Sequence, residues 1–322
     1  MTEPCKATSY PTEAELQTLT QRLHTRLTTR GRASLTRRQV RVLLQDVVLV
    51  ASGLRPSCLV DCCALTTKQT TIVLEVLQNE TNSGQWQWLE TKHVRALQLD
   101  GNVFFVHVTA FVHEKMVELA TDVNDPLVVN VNANLSRPQL VSKKSSATSR
   151  SRAKAFAKWT VSACKDLLLS TNELGVLEWK RPSTLAATAV AGRLLCYPYV
   201  YDTLEADESN KVVEMDTWSA QDNCLGLCPL WLLKTTIAIP SQQLEMVLQE
   251  FSIPQHLLDK GDAFCIDRGS RRDGRSLSPL LKVLRARCQL KLQRASDQSR
   301  WTTKDVQVQV RVEGRTLHRV AL

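Results

Sequence analysis

Cys224 stands in the one setting of this chain that a thiol nucleophile could use. The segment reads Asp222-Asn223-Cys224-Leu225. A cysteine attacking an acyl carbon needs a histidine within hydrogen-bond reach and backbone N–H groups aimed at the developing oxyanion. His256 or His318 would have to supply that base, with Asp222 as the nearby acid. The competing reading is that Cys224 packs as a small hydrophobe, which is what most buried cysteines do. That packing reading is preferred here.

Metal chemistry has less behind it. Cys58 and Cys62 are four apart, as are Cys224 and Cys228, whereas paired zinc ligands usually have two residues between them. In a strand, Cys58 and Cys62 would lie about 13 Å apart, too far for one ion. His93, His107 and His113 are scattered. Cys62 and Cys63, if on a strand, point to opposite faces and suit packing better than pairing. Carboxylate pairs are Asp61 with Asp100 at the edge of a sheet, and Asp202 with Asp222 bracketing an acidic loop. Turn chemistry accounts for aspartates at such places equally well. A glycine-rich phosphate loop and a Walker-type lysine are both missing. No metal and no cofactor is expected.

Cations cluster in two stretches. Lys143, Lys144, Arg150 and Arg152 belong to an acid-free run from Arg137 to Lys165, and Arg271 and Arg272 precede a second basic helix. Such groups could contact phosphates and give salt-dependent binding. Aromatic platforms for stacking bases are lacking, and a charge run is more often a solvated face. The formal charge of +9 permits weak attraction to nucleic acid without requiring it.

The elements that must position these groups read as α/β. Leucines at 16, 19, 23 and 27 give a helix over 12–30, and a second helix runs from Thr36 to Ala51, stopped by Gly53 and Pro56. Residues 57–62 read as a strand and 66–77 as a helix. Strands at 95–100 and 102–108 flank an Asp100-Gly101 turn. Leu127 to Val131 is a further strand. A helix from Ala153 to about Ser170, an Ala-rich helix from Ala186, and a strand at 197–201 follow. Leu227 to Ile239 is the central strand, Leu244 to Ile253 is helix or strand, Leu277 to Arg294 is a basic helix, and Val306 to Val312 is an edge strand. The fold class is therefore α/β, a mixed β-sheet flanked by helices on both faces. The whole chain, 1–322, is expected to form one domain whose parts 36–135 and 153–322 share a core. Segments 136–153, 204–222 and 266–276 are expected as flexible loops, and 1–11 as disordered.

Composition sets the class. The chain has 322 residues, 43% hydrophobic and 23% charged, the balance of a globular protein. Its longest apolar runs are too short for a bilayer span. A secretory signal is not visible, so the ten cysteines are expected to be reduced, in the cytosol or nucleus. The triplets at Asn79 and Asn134 would then stay unglycosylated.

Several pieces together resemble one uncharacterised eukaryotic family, named after open reading frame 74 of human chromosome 1. They are Gly53-Leu54-Arg55-Pro56 with Leu59-Val60-Asp61, Leu194-Leu195-Cys196-Tyr197-Pro198, Asp222-Asn223-Cys224-Leu225, Phe251-Ser252-Ile253-Pro254 and Val320-Ala321-Leu322. The resemblance spans roughly 40–322 and implies a single intracellular domain without assigning an activity. It also implies Gly where Cys196 stands. Asp222 to Leu225 is separately similar to the nucleophile segment of ovarian-tumour-type deubiquitinases, although the preceding Gly of that motif is absent. The function expected from all this is a non-catalytic interaction protein with an unknown protein partner. The alternatives are a cysteine-dependent hydrolase using Cys224, and a basic nucleic-acid-associated factor.

Overall fold

The protein is described by a computed structural model over residues 11–28, 35–84, 86, 88–120, 126–141, 147–172, 174–203, 223–259, 278–297 and 305–317. In chain order its elements are α1 (Glu13–Thr28), α2 (Arg37–Ala51), β1 (Ser57–Leu59), α3 (Thr67–Asn82), β2 (Val94–Leu99), β3 (Asn102–His107), α4 (Val108–Ala120), β4 (Leu127–Asn130) and β5 (Gln139–Leu140). Then come α5 (Ala147–Leu169), β6 (Val176–Trp179), α6 (Ala187–Leu194), β7 (Tyr199–Asp202), β8 (Pro229–Ile239), β9 (Leu244–Pro254), α7 (Gln255–Asp259), α8 (Ser278–Asp297) and β10 (Gln307–Thr316).

The first three helices start on the same device. Thr12 with Glu15, Thr36 with Gln39, and Thr66 with Gln69 each form a reciprocal capping box. Each box satisfies two backbone N–H groups that the first turn leaves unpaired. Gly53 takes φ 73° just past α2, the left-handed stop expected there. Asp100 and Gly101, at φ 50° and 79°, make the tight turn between β2 and β3.

The strands form three sheets. One has the order β1-β3-β2-β6, with β6 parallel to β2 and the other pairs antiparallel. A second is β5-β4-β7, in which β7 runs parallel to β4. A third, β10-β8-β9, is antiparallel with β8 at its centre and β10 at its edge, as the patterning predicts. The expected fold class holds, with the strands divided among three sheets.

Alternation along β2 and β3 builds cores on both faces of the first sheet. Val94, Ala96, Val103 and Phe105 pack with α1, α2 and α3. Leu97, Leu99, Phe104 and Val106 pack with Phe111 of α4, Phe156 and Leu167 of α5, and Val190 of α6. The first of these cores also takes in Ile237, Ile239, Leu244 and Met246, together with Cys288 and Leu292 of α8. Residues from both ends of the chain therefore share one interior.

Three expectations change, and one open choice is decided. Residues 109–120 and 176–179, read as no element, belong to α4 and β6, and Val108, read as strand, opens α4. The segment 136–153, read as a loop, contains β5 and the first turns of α5. β1 stops at Leu59, three residues short of Cys62. The ambiguous stretch from Leu244 is a strand with a bulge. Thr236 pairs with Val247 and Thr235 with Gln249, which leaves Leu248 unmatched and shifts the buried set from 244, 246 and 248 to 251 and 253. The expected loops at 204–222 and 266–276 and residues 1–10 lie outside the described residues.

Candidate functional site

The concavity with the richest chemistry lies between α4 and α8. Two adjoining cavities of about 160 and 230 Å³ share His113 and Glu114 from α4 and Lys291 and Arg294 from α8. Lys291 reaches Glu114 at 3.1 Å, linking the two walls. Burial pushes the Glu114 carboxyl up, but Lys291 and the nearby Arg287 outweigh it, and its pKa ends below the usual range. The floor is made by Ser52, Gly53 and Pro56 on one side and by Cys196, Tyr197 and Gln249 on the other. Two of the pieces quoted above, around Gly53–Pro56 and Leu194–Pro198, thus converge on one groove. Arg55 binds Asp46 at 2.7 Å behind it.

Beneath the groove sits a buried charge cluster. Glu118 accepts from Lys115 at 2.6 Å and from Arg193 at 2.9 Å. Lys115 lies 5.7 Å from the Phe111 ring centroid, and the Arg193 guanidinium 4.4 Å from that of Phe156. His107 is likewise committed. Its Nδ1 accepts from the Ala110 N–H at 3.2 Å, capping α4, while Nε2 faces Glu90 at 3.1 Å. Burial raises the thiols of Cys196 and Cys288, which both line the groove. Among the lining groups the two thiols are held neutral and the two carboxylates are paired, while the His113 imidazole stands exposed on α4.

Cys196 occupies a strained position. α6 ends in a Schellman motif, with Tyr197 N–H bonded to Gly192 O at 3.0 Å and Cys196 N–H to Arg193 O at 3.1 Å. Cys196 is the left-handed residue of that motif at φ 56°, the place where glycine is favoured and where the resemblance implies it. Cys196→Gly is expected to raise stability by about 1 kcal/mol, the left-handed penalty of a side chain. A urea midpoint unchanged or lowered would contradict this account.

The sequence-derived candidates fall elsewhere. Cys224 is half-buried beside a separate core of Val129, Leu225, Leu233 and Ile253, and burial raises its thiol. His256 gives its ring Nε2 to Pro138 O at 2.8 Å, with no hydrogen bond to Cys224. Asp222 and His318 lie outside the described residues, as do Lys143, Lys144, Arg271 and Arg272. Arg150 is exposed on α5, whereas Arg152 is held by Asp202 at 2.5 Å. Asp61 lies beyond the end of β1, and the Asp100 carboxylate is bound by Arg181 at 2.5 Å. Among the described residues no three His, Cys, Asp or Glu side chains converge as a metal site, and no helix is long and apolar enough to cross a membrane. The groove was missed because α4 was. Its signal was the helical spacing of Phe111, Lys115 and Glu118 beside that of His113, Glu114 and Val117.

A family model described as "Domain of unknown function (DUF4504)" matches residues 25–264, and the chain belongs to that family. The matched stretch includes the α4 wall and the floor of the groove, and ends before α8. Neither the curated proteins nor the solved structures give a match to the chain.

Proposed function

We propose that this chain is a non-catalytic interaction protein of the family named after open reading frame 74 of human chromosome 1, and that its protein partner docks in the groove between α4 and α8. One observation carries the reading. The groove is the meeting point of α4, α8 and the Gly53–Pro56 and Cys196–Tyr197 turns, yet every described acid and thiol lining it is paired or held neutral. Such a surface is suited to binding, with the exposed His113 imidazole on its α4 wall. Arg287, Lys291 and Arg294 against Glu114 and Glu118 leave it net cationic, and Leu290 is exposed at its rim. The partner that fits presents acidic and apolar side chains together. Free thiols at all the described cysteines agree with a reducing compartment, the cytosol or nucleus.

The test is proximity labelling in cells with wild type, Leu290→Asp/Arg294→Glu and Cys224→Ser. The neighbours labelled by wild type should be lost with the groove variant and kept with Cys224→Ser. A wild-type chain that reacts through Cys224 with an activity-based ubiquitin probe would replace this reading with the hydrolase.

A further inference from the structure

The chain beyond β1 brings two thiols together. Because the strand stops at Leu59, Cys62 and Cys63 sit in a bend, and their Sγ atoms are 3.8 Å apart. The expectation that they face opposite ways fails for that reason: alternation applies only while the backbone stays extended. Cys62 is anchored to α2 at both ends of its residue. Its carbonyl accepts from Gln39 Nε2 at 2.8 Å, and its sulfur lies 3.6 Å from Gln39 O. Gln39 is itself fixed by the Thr36 capping box. Both cysteines are half-buried, with exposed Asp61 and Ala64 on either side.

The pair is also electronically unequal. The hydrogen bond from the Cys62 thiol lowers the Cys63 pKa and raises that of Cys62. All the other described cysteines have raised values, with burial as the largest cause. A more acidic thiol with a second thiol beside it is the arrangement of an attacking and a resolving cysteine.

We propose that Cys62 and Cys63 form a two-thiol oxidation site that reacts with a hydroperoxide and closes to a disulfide between adjacent residues. The Cys63 thiolate attacks one peroxide oxygen, the O–O bond breaks, and hydroxide leaves as Cys63 becomes a sulfenic acid. Cys62 then gives up its proton and attacks the sulfenic sulfur. The S–S bond forms, the S–O bond breaks, and the second oxygen leaves as water. With hydrogen peroxide the sum is two thiols and one peroxide giving one disulfide and two waters, the sulfurs being oxidised and the peroxide reduced. Closure brings the sulfurs from 3.8 Å to about 2.05 Å.

The experiment uses the full chain, reduced, then exposed to hydrogen peroxide at neutral pH, alkylated and read by peptide mass spectrometry. The peptide holding both cysteines should lose both alkylation events, weigh about 2 Da less than its reduced form, and recover both on treatment with dithiothreitol. In Cys62→Ser, Cys63 should be trapped by dimedone as the sulfenic acid. The wild-type readout needs no variant to fold. Cys62 and Cys63 that stay alkylatable, that overoxidise to sulfinic acid without closing, or that bridge to other cysteines would overturn the proposal.

Discussion

Replacing Glu118 with glutamine is expected to lower the unfolding free energy by about 3–5 kcal/mol, the usual result of stranding buried charge. One carboxylate neutralises two cations here. Lys115 and Arg193 have side chains only 2% and 9% exposed, so water cannot take over when the charge is lost. Glutamine keeps the shape but must turn an NH2 toward one of two donors. The rings of Phe111 and Phe156 stabilise the cations, though by less than the carboxylate does. Lys115→Met removes one cation and leaves the Glu118–Arg193 pair intact, so it should cost well under half as much. Urea unfolding followed by circular dichroism compares the variants. A Glu118→Gln protein within about 1 kcal/mol of wild type would mean that the cluster is hydrated and does not hold α4 to α6.

That cluster bears on the proposed docking because it fixes the α4 wall. Glu118 lines the groove and at the same time grips Arg193 of α6, three residues before the strained Cys196 of the floor. Wall and floor are thus tied through one buried carboxylate. A docking surface made from rigid elements loses less entropy on binding than one made from loops.

Much of the fold was legible because its signals are local. Leucine steps along α1, Gly53 and Pro56 after α2, Asp-Gly between strands, and alternation along β10 each lie within a few residues. What stayed hidden depends on distance. α4 follows β3 with no break, and its first turn is capped by the His107 ring, a residue type that gives no N-cap signal. The bulge at Leu248 makes a three-residue step between buried positions, and a strand with such a step imitates a helix. The Cys62–Cys63 pair turned on where β1 stops, an element boundary that propensity locates poorly. Arg152 looked like one more cation in a basic run, since its partner lies 50 residues away.

Arg152 gives the second large effect. Its side chain is 14% exposed and binds Asp202, which is 3% exposed at the end of β7. Burial raises the Asp202 pKa and Arg152 opposes that rise. Arg152→Met leaves the carboxylate without its counter-ion and should cost about 3 kcal/mol or more at neutral pH. The sign of the pH dependence follows. The folded-state pKa of Asp202 already lies above its unfolded value, and losing Arg152 moves it higher, so the variant folds best with Asp202 protonated. Its deficit against wild type should therefore shrink as pH falls from 7 toward 4, and be least below the unfolded aspartate pKa of about 3.9. Arg150→Met, on the exposed face of the same helix, should stay within about 0.5 kcal/mol of wild type. If Arg152 served instead as a phosphate contact, its removal would leave stability unchanged at every pH and weaken binding of a single-stranded RNA in a filter assay, with a shallower salt slope. Equilibrium unfolding of both variants at pH 7 and pH 5 distinguishes a brace between α5 and β7 from a nucleic-acid ligand.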